Sequence, residues 1–390
     1  MSASNKQNPC PPDGVMTGAT LDAASWVAWP KVLLHEHLDG GLRPQTLLDL
    51  CRARGLPLPA DTAEALGDWF AANAHAGSLE RYLACFALTV DAMASAAACE
   101  RVAFEAAEDA LADGCVLAEF RMAPTLFAPL GLRPEAALEA LLAGLARSAL
   151  PCGLIVCAMR MEDPARTAAV ARMAGRYADR GVVGFDLAGV ERGFPATLHR
   201  EALHLAHDAG LGLTCHAGEA DDGHRVIETI RIGVTRIGHG VRVMDNPVWV
   251  EQARAAGVHF EVCPSSNVHT GAACSVATHP FGAMTAAGLH LSCSTDNRLL
   301  SRVTLSGELA MLQAHQGLSV VTLMAQQADA VQASFLGEAA KAAALARIAA
   351  SGQKEGRRDD GPGARSQKPG SPASPGTSFS PEGFSEEESH

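Results

Sequence analysis

Short apolar runs alternate along the chain with longer, alanine-rich amphipathic segments. Runs rich in Val, Ile, Leu, Phe and Cys are typical of buried parallel strands, and the amphipathic segments are typical of the helices that cover such strands. Eight runs have this character: residues 32–35, 116–121, 154–159, 182–187, 211–216, 236–239, 259–263 and 289–295. The pattern therefore predicts an α/β protein with a parallel sheet.

Helical segments fall between most of these runs, for example at residues 198–209, 223–232 and 247–256. Eight strands with intervening helices predict a single (β/α)8 TIM barrel, somewhat larger than the ~250 residues that are typical. The surplus lies at residues 42–113, after the first strand, and in three closing helices between residues 305 and 350. A doubly wound sheet is the alternative architecture.

Both ends of the chain differ in composition from the middle. Residues 1–28 are rich in Pro, Gly and Asn around Trp26, which favours a loose leader. Residues 351–390 are dominated by Gly, Pro and Ser, and this composition predicts a disordered tail because it cannot bury enough apolar surface. Residues 29–350 contain no comparable linker, so we expect one catalytic domain there.

The charge and cysteine content exclude several classes of protein. The formal net charge of −12 gives no support for nucleic-acid binding, which needs clustered basic residues. No stretch is apolar enough to predict a signal peptide or a membrane span. The eleven cysteines include no C-x-x-C pair and several lie in apolar runs, which favours reduced cysteines and a cytoplasmic location.

The polar residues with catalytic chemistry collect at the C-terminal ends of the predicted strands. In a barrel these ends face one mouth, where active sites are built. His35 and His37 are two residues apart, so both project from the same face of an extended strand. With His216 and Asp296 they would give three imidazole nitrogens and one carboxylate, a donor set that suits zinc and leaves a position for water.

Two further residues are candidates for proton transfer. Glu219 lies three residues beyond His216, and His239 follows the sixth strand. Glu219 can exchange a proton with an electrophile, and His239 can orient or deprotonate a nucleophilic water. No lysine lies between residues 32 and 340, and the fourth strand ends in Asp186-Leu-Ala-Gly189, so one metal is favoured over a pair bridged by a carbamylated lysine.

Other catalytic patterns are missing from the sequence. It contains no H-E-x-x-H, none of the paired cysteines of cytidine-deaminase-type enzymes and no G-x-S-x-G. Ser265 and Ser266, at the end of the seventh strand, are expected to line a loop. A non-catalytic metal-binding barrel and an amide, lactone or phosphotriester hydrolase on the same barrel remain alternatives.

Six motifs in order, spanning about residues 30–350, resemble the adenosine deaminase family. They are Lys31-Val-Leu-Leu-His-Glu-His-Leu-Asp-Gly40, Asp186-Leu-Ala-Gly189, His216-Ala-Gly-Glu219, Ile237-Gly-His-Gly240, Cys263-Pro-Ser-Ser-Asn267 and Ser294-Thr-Asp-Asn297. The resemblance implies zinc-dependent deamination of adenosine and 2′-deoxyadenosine to inosine and 2′-deoxyinosine in purine salvage. Another 6-aminopurine, such as adenine or a modified adenosine, is the alternative substrate.

The resemblance also implies roles for individual residues. One zinc per chain would be held by His35, His37, His216 and Asp296. Glu219 would protonate purine N1, and His239 would assist the water that adds to C6. The substrate, a small purine nucleoside, would contact His37, the Asp39 carboxylate at the ribose, the Gly189 amide at N3 and Asn297.

Two departures from the family pattern qualify the resemblance, and one inserted segment has two interpretations. Family members commonly have a second aspartate where this chain has Asn297, so a neutral amide replaces a carboxylate at the expected contact to purine N7. Val190 stands where many members have an acidic residue. The segment from Asp68 to Phe70 falls where the family places an apolar lid over the pocket, but aromatic residues at helical spacing more often belong to a core.

Overall fold

Eight parallel strands form the centre of the protein, and they are hydrogen-bonded in sequence order from the first to the eighth. The computed structural model describes residues 20–356. The strands are β1 (Lys31–His37), β2 (Cys115–Met122), β3 (Cys152–Met159), β4 (Val182–Ala188), β5 (Gly212–Ala217), β6 (Arg236–His239), β7 (His259–Val262) and β8 (His290–Cys293). The (β/α)8 barrel predicted from the sequence is confirmed.

The eighth and first strands approach each other just beyond the end of β8. A parallel bridge pairs Glu36 with Asp296. The His37 amide donates to the Asp296 carbonyl at 2.8 Å, and the Asp296 amide donates to the His35 carbonyl at 2.9 Å. This contact brings two predicted metal ligands of β1 next to the predicted ligand that follows β8.

Helices connect the strands and pack against them. Within the described residues, the α-helices are α1 (Ala23–Val27), α2 (Pro44–Arg54), α3 (Ala63–Ala74), α4 (Leu79–Leu83), α5 (Phe86–Met93), α6 (Ala96–Ala112), α7 (Pro134–Leu145), α8 (Pro164–Gly175), α9 (Arg200–Asp208), α10 (His224–Arg231), α11 (Pro247–Ala256), α12 (Pro264–His269), α13 (Phe281–Ala286), α14 (Arg298–Ser301), α15 (Leu305–Gln316), α16 (Val320–Ala333) and α17 (Glu338–Gly356). Short 3-10 helices lie at Pro124–Leu130, Ala178–Arg180, Ala196–His199 and Val241–Asp245.

Local sequence signals explain where the predicted helices begin and end. The α11 helix has the predicted bounds because the Asn246 side chain accepts from the Val248 amide, Pro247 opens the first turn, and Gly257 ends the helix with φ of 65°. The segment predicted as one helix at 198–209 is instead a 3-10 turn followed by α9. Its start lacks a side-chain cap, so apolar periodicity alone could not locate it.

The inserted and closing helices lie where the sequence predicted them. Helices α2 to α6 fall between β1 and β2, and α15 to α17 close the chain. The barrel strands are almost wholly buried, and β2 is buried along its entire length. The barrel interior also contains fully buried charged residues that the apolar pattern did not predict, Arg121, Arg236, Glu119 and Glu261 among them.

The two ends of the described chain differ from the prediction. The N-terminal segment was expected to be a loose leader up to residue 28, but residues from Ala23 form α1, and Trp26 is fully buried in the main core. The Trp26 indole donates to Gln313 at 3.3 Å, a contact distant in sequence that composition cannot reveal. At the other end α17 continues to Gly356, beyond the predicted boundary at residue 350. Residues 1–19 and 357–390 lie outside the described residues.

None of the described helices alone has the length and hydropathy needed to cross a bilayer. One pair, Leu79–Met93 with Ala96–Ala112, meets the length and composition criteria together but is bent by 117°.

Candidate active site

The four predicted metal ligands meet at the C-terminal mouth of the barrel. His35 and His37 extend from β1, His216 from β5, and Asp296 follows β8. One ligand atom from each lies within 4.8 Å of the others. The Nε2 atoms of His37 and His216 are 3.3 Å apart, and Oδ1 of Asp296 lies 3.3 Å from His35 Nε2 and 3.5 Å from His37 Nε2.

Buried carboxylates behind the imidazoles fix the orientation of two rings. Glu261 lies 2.8 Å from His35 Nδ1, and Asp186 lies 3.1 Å from His216 Nδ1. Arg121 bridges these carboxylates at 2.6 Å and 3.0 Å. Burial alone would raise the pKa of Asp186, but the adjacent His216 ring and the charge of Arg121 hold it well below its usual range. Each carboxylate thus accepts from Nδ1–H and leaves the Nε2 lone pair facing the site, which suits a metal ligand.

The residues present fit a zinc ion. His35 Nε2 is fully buried and makes no hydrogen bond to a described residue, which is a costly arrangement for a polar atom unless a ligand pairs with it. The donor set of three imidazoles and one carboxylate is typical of catalytic zinc. A second group, His35, His239 and Cys263, also has metal-binding types, but it shares His35 with the first group.

The backbone is strained at Asp296 and at His239. Asp296 has φ of 58° and His239 has φ of 60°, in the left-handed region that residues other than glycine seldom occupy. Such conformations persist where surrounding contacts impose them, and they are common at functional sites. At Asp296 one such contact is the Ser266 hydroxyl, which donates to Oδ2 at 2.5 Å.

Glu219 is placed for proton transfer beside this cluster. Its side chain is buried, the Thr270 hydroxyl donates to Oε1 at 2.9 Å, and Oε2 lies 3.6 Å from His239 Nε2. Burial raises the pKa of Glu219 to about 7 and lowers the pKa of His239 to about 4. A substantial fraction of Glu219 is therefore protonated near neutral pH, as a general acid requires, while His239 is a neutral imidazole.

A cavity of about 510 Å³ opens directly over the cluster. His37, Asp39, Gly189, Glu219, His239 and Asn297 all line it. Asp39 Oδ1 and Asn297 Oδ1 are buried without a hydrogen bond to any described residue, and burial raises the pKa of Asp39 to about 7. Gly189 has φ of 98°, and a Cβ there would lie 2.5 Å from the Met161 sulfur, so this position requires glycine.

The apolar wall of the cavity comes from helices other than α3, and Phe70 lies in the core, as the helical spacing of the aromatic residues favoured. Phe70 of α3 is fully buried in the main core and Asp68 is exposed, so neither lies at the cavity. In α3, positions four residues apart face the core, and Phe70 is one of them. Helices α4 and α5 supply the wall instead, with residues that include Leu79, Tyr82, Leu83 and Phe86.

Two serines differ from the sequence prediction, and one buried carboxylate was not predicted at all. Ser265 and Ser266 were expected to line a loop, but they lie on α12 and are absent from the cavity wall. Ser266 supports Asp296, and the Ser265 amide donates to Glu308 at 3.3 Å. Sequence reasoning also missed Glu191, a buried carboxylate that accepts from the backbone around Glu219. Its signal was its position just after the Asp186-Leu-Ala-Gly motif.

A parallel eight-stranded barrel with a histidine and carboxylate cluster at its C-terminal mouth is the architecture of the metal-dependent hydrolases of the amidohydrolase type. Residues 30–351 match the model of the adenosine deaminase family. The chain belongs to the adenosine deaminase family, and it is a hydrolytic deaminase.

Individual relatives agree with this assignment. The adenosine deaminase of Mycobacteroides abscessus is 41% identical over 340 residues, which cover 82% of this chain and 93% of that protein. A zinc-bound amidohydrolase from Burkhoderia ambifaria is 25% identical with a TM-score of 0.79, covering 89% of this chain and 97% of that one. The adenine deaminase of Arthrobacter aurescens shares the fold at 24% identity and a TM-score of 0.78, covering 84% of this chain and 100% of that one.

Proposed function

We propose that the protein deaminates adenosine and 2′-deoxyadenosine, with one zinc ion per chain, and so acts in purine salvage. Water adds to purine C6, N1 takes up a proton, and the C6–N bond then breaks to release ammonia and leave inosine or 2′-deoxyinosine. The observation that carries the proposal is the buried Glu219 carboxyl, with a pKa raised to about 7, at the same cavity as three imidazoles and a carboxylate.

The metal would be held by His35, His37, His216 and Asp296. When bound there, zinc would lower the pKa of a water molecule toward 7 and so supply the nucleophile. One zinc rather than two is supported by Asp186, which already accepts from His216 and pairs with Arg121 instead of facing the cavity. No lysine within residues 32–340 could bridge a second ion.

Glu219 would donate its proton to purine N1 as water adds to C6. Its protonated form is available near neutral pH because the site is buried. His239, whose Nε2 lies 3.6 Å from Glu219 Oε2, would hold the attacking oxygen in position. Thr270 would keep the Glu219 carboxyl in the cavity through the bond to Oε1.

The remaining contacts would select a nucleoside. Asp39 would accept from a ribose hydroxyl, the Gly189 amide would donate to N3, Asn297 would face N7, and His37 would lie against the substrate. Asp39 Oδ1, which is buried without a partner among the described residues, would gain a hydrogen bond from the bound substrate.

The cavity disfavours nucleotides. None of the described residues that line the cavity is a lysine or an arginine. Three acidic residues, Asp39, Asp91 and Glu219, do line it. A 5′-phosphate would enter an acidic cavity without a cation to pair with, so AMP should be a poor substrate. The apolar wall contributed by Phe86, Met159 and other residues instead suits a nucleoside with an uncharged 5′ group.

The test is a comparison of kcat/KM over adenosine, 2′-deoxyadenosine, adenine, a 5′-modified uncharged adenosine and AMP. The two nucleosides should be deaminated most efficiently, and AMP should be at least about a hundredfold poorer, a difference of ~2.7 kcal/mol in transition-state binding. A preference for adenine would support the alternative 6-aminopurine. A preference for AMP would overturn the proposed role of the acidic cavity.

A further inference from the structure

Four buried groups form a chain of hydrogen bonds that ends at His239. The Phe281 amide donates to His279 Nδ1 at 3.0 Å, and His279 Nε2 lies 3.1 Å from Asn267 Oδ1. Asn267 Nδ2 lies 3.1 Å from His239 Nδ1. All four residues are at least 96% buried, so water cannot readily replace any of these bonds.

The donor and the acceptor of every hydrogen bond in this series follow from the Phe281 amide. A backbone amide can only donate, so His279 Nδ1 must be the acceptor. Burial lowers the pKa of His279 to about 3, so the ring is neutral and its single proton is on Nε2. That proton can only be donated to the Asn267 carbonyl oxygen. The Asn267 amide therefore presents its NH2 group to His239, and His239 Nδ1 must accept.

The consequence is a defined tautomer at the catalytic cavity. With Nδ1 accepting, the proton of the neutral His239 ring is on Nε2, the atom that lies 3.6 Å from Glu219 Oε2. A nitrogen that carries the ring proton donates a hydrogen bond and has no lone pair with which to take a proton. Of the two roles that the sequence left open for His239, orientation of the water fits this tautomer and deprotonation does not.

We propose that His279 is a positioning residue which, through Asn267, fixes the Nε2–H tautomer of His239, so that His239 gives the attacking oxygen a hydrogen-bond donor and does not act as its base. The inference rests on the proposed deamination for its chemical meaning. It gives a role to Asn267, the last residue of the Cys263-Pro-Ser-Ser-Asn267 motif, and to His279, which lies outside the six sequence motifs.

A purely structural role for His279 is the competing explanation. The ring receives the Phe281 amide at the start of α13, so its loss would loosen the loop between β7 and β8 whatever happens at His239. The two explanations differ in what they predict for the proton on His239. The test must therefore observe that proton directly.

The experiment is ¹⁵N NMR of the zinc-loaded, full-length protein with ring-labelled histidine, with His239 assigned by its disappearance in His239→Gln. We expect a protonated Nε2 and an unprotonated Nδ1 at His239. In Asn267→Asp the new carboxylate can only accept, so Nδ1 of His239 should become protonated. In His279→Phe the Asn267 amide loses its fixed direction, and the Nε2–H signature should weaken or be replaced.

Kinetics on adenosine provide the second readout. In His279→Phe we expect kcat to fall by at least about tenfold with KM within about threefold, because an interaction of the reacting state is lost while substrate contacts remain. His279→Gln can still donate to Asn267 Oδ1 and should recover part of kcat. His259→Phe is the matched control, since His259 is also buried but lies at the start of β7 and bonds Ser292 instead.

The outcomes separate this inference from the proposed function. A His239 proton on Nδ1 in the unmodified protein overturns the inference even if adenosine is deaminated. An unchanged tautomer in both His279→Phe and Asn267→Asp also overturns it. If His259→Phe lowers kcat as much as His279→Phe, with the tautomer intact in both, the effect is structural. An inactive protein with the expected tautomer would contradict only the proposed function.

Discussion

Glu191 holds the loop that carries Glu219. The Glu191 Oε2 atom accepts the Glu219 amide at 3.1 Å, and it also accepts the Ala220 and Asp221 amides at 2.8 Å and 2.9 Å. The other oxygen accepts the Gly218 amide. One buried carboxylate thus satisfies four successive amides just after β5, and successive amides directed at one anion form a compact binding site for negative charge. This fixes the Glu219 backbone relative to His216.

Replacement of Glu191 by glutamine should therefore impair catalysis without removing the metal. The variant keeps the shape of the side chain but loses its charge and one acceptor oxygen, so the loop that carries Glu219 should move. We expect kcat to fall by about tenfold or more, which corresponds to ~1.4 kcal/mol of activation free energy. Zinc content should stay at one per chain. Glu201→Gln, at an exposed glutamate paired with Arg172, is the control and should leave kcat unchanged. Normal turnover in Glu191→Gln would show that the loop does not depend on this carboxylate.

Glu219→Gln tests the general acid itself. The amide preserves the side-chain shape but cannot protonate N1, so kcat should fall by about 10²-fold to 10⁴-fold with little change in substrate binding. In the unmodified protein the acid form is lost as pH rises through about 7, so its contribution to rate should decline above that pH. The variant should lack this decline. A parallel loss of zinc would instead identify Glu219 as a metal ligand.

Much of this architecture follows from local sequence, and the exceptions share a cause. The eight strands and the residues at their C-terminal ends could be predicted because strand periodicity and barrel topology together determine where those side chains point. Glu191 and the apolar wall around Tyr82 could not be predicted, because their roles depend on contacts with segments distant in the chain. The same holds for Arg121, whose burial is possible only between Asp186 and Glu261.

Asn297 provides a test of substrate contact. Its Oδ1 packs toward Gly40, where a Cβ would lie 1.8 Å away, so we expect Nδ2, the donor of the amide, to be available to purine N7. Replacement of N7 by carbon should then leave that donor unpaired and weaken kcat/KM by about 1 to 3 kcal/mol, roughly five- to 150-fold. The measurement compares adenosine with 7-deaza-adenosine.

The Asn297→Asp variant completes that comparison. A carboxylate donates to N7 only when protonated, so the variant should remain active on adenosine but acquire a new acidic dependence in its profile of kcat/KM against pH. Equal rates on the two substrates in the unmodified protein, together with an unchanged profile in Asn297→Asp, would remove Asn297 from the substrate contacts.

Glu308 links stability to pH. Burial raises the pKa of this carboxyl from 4.5 to about 8, so the folded protein holds a proton that the unfolded chain has lost between these values. The free energy of unfolding should therefore decrease as pH rises across this window, by at most about 1.4 kcal/mol per pH unit. Glu308→Gln cannot ionise, so its Tm relative to the unmodified protein should increase from pH 5 to pH 8. The exposed Glu338→Gln should show no such trend. A constant difference in Tm for Glu308→Gln would mean that this carboxyl keeps its ordinary pKa.

The proposed reaction is zinc-dependent hydrolytic deamination at the cluster of His35, His37, His216 and Asp296. The most direct measurement follows adenosine absorbance and ammonia together, before chelation, after exhaustive chelation and after zinc is restored. We expect one ammonia per adenosine consumed, loss of turnover with the chelator, and recovery at one zinc per chain. His216→Ala should lose metal and turnover together. Full activity in the metal-free protein, or adenosine consumption without ammonia, would contradict the proposed reaction.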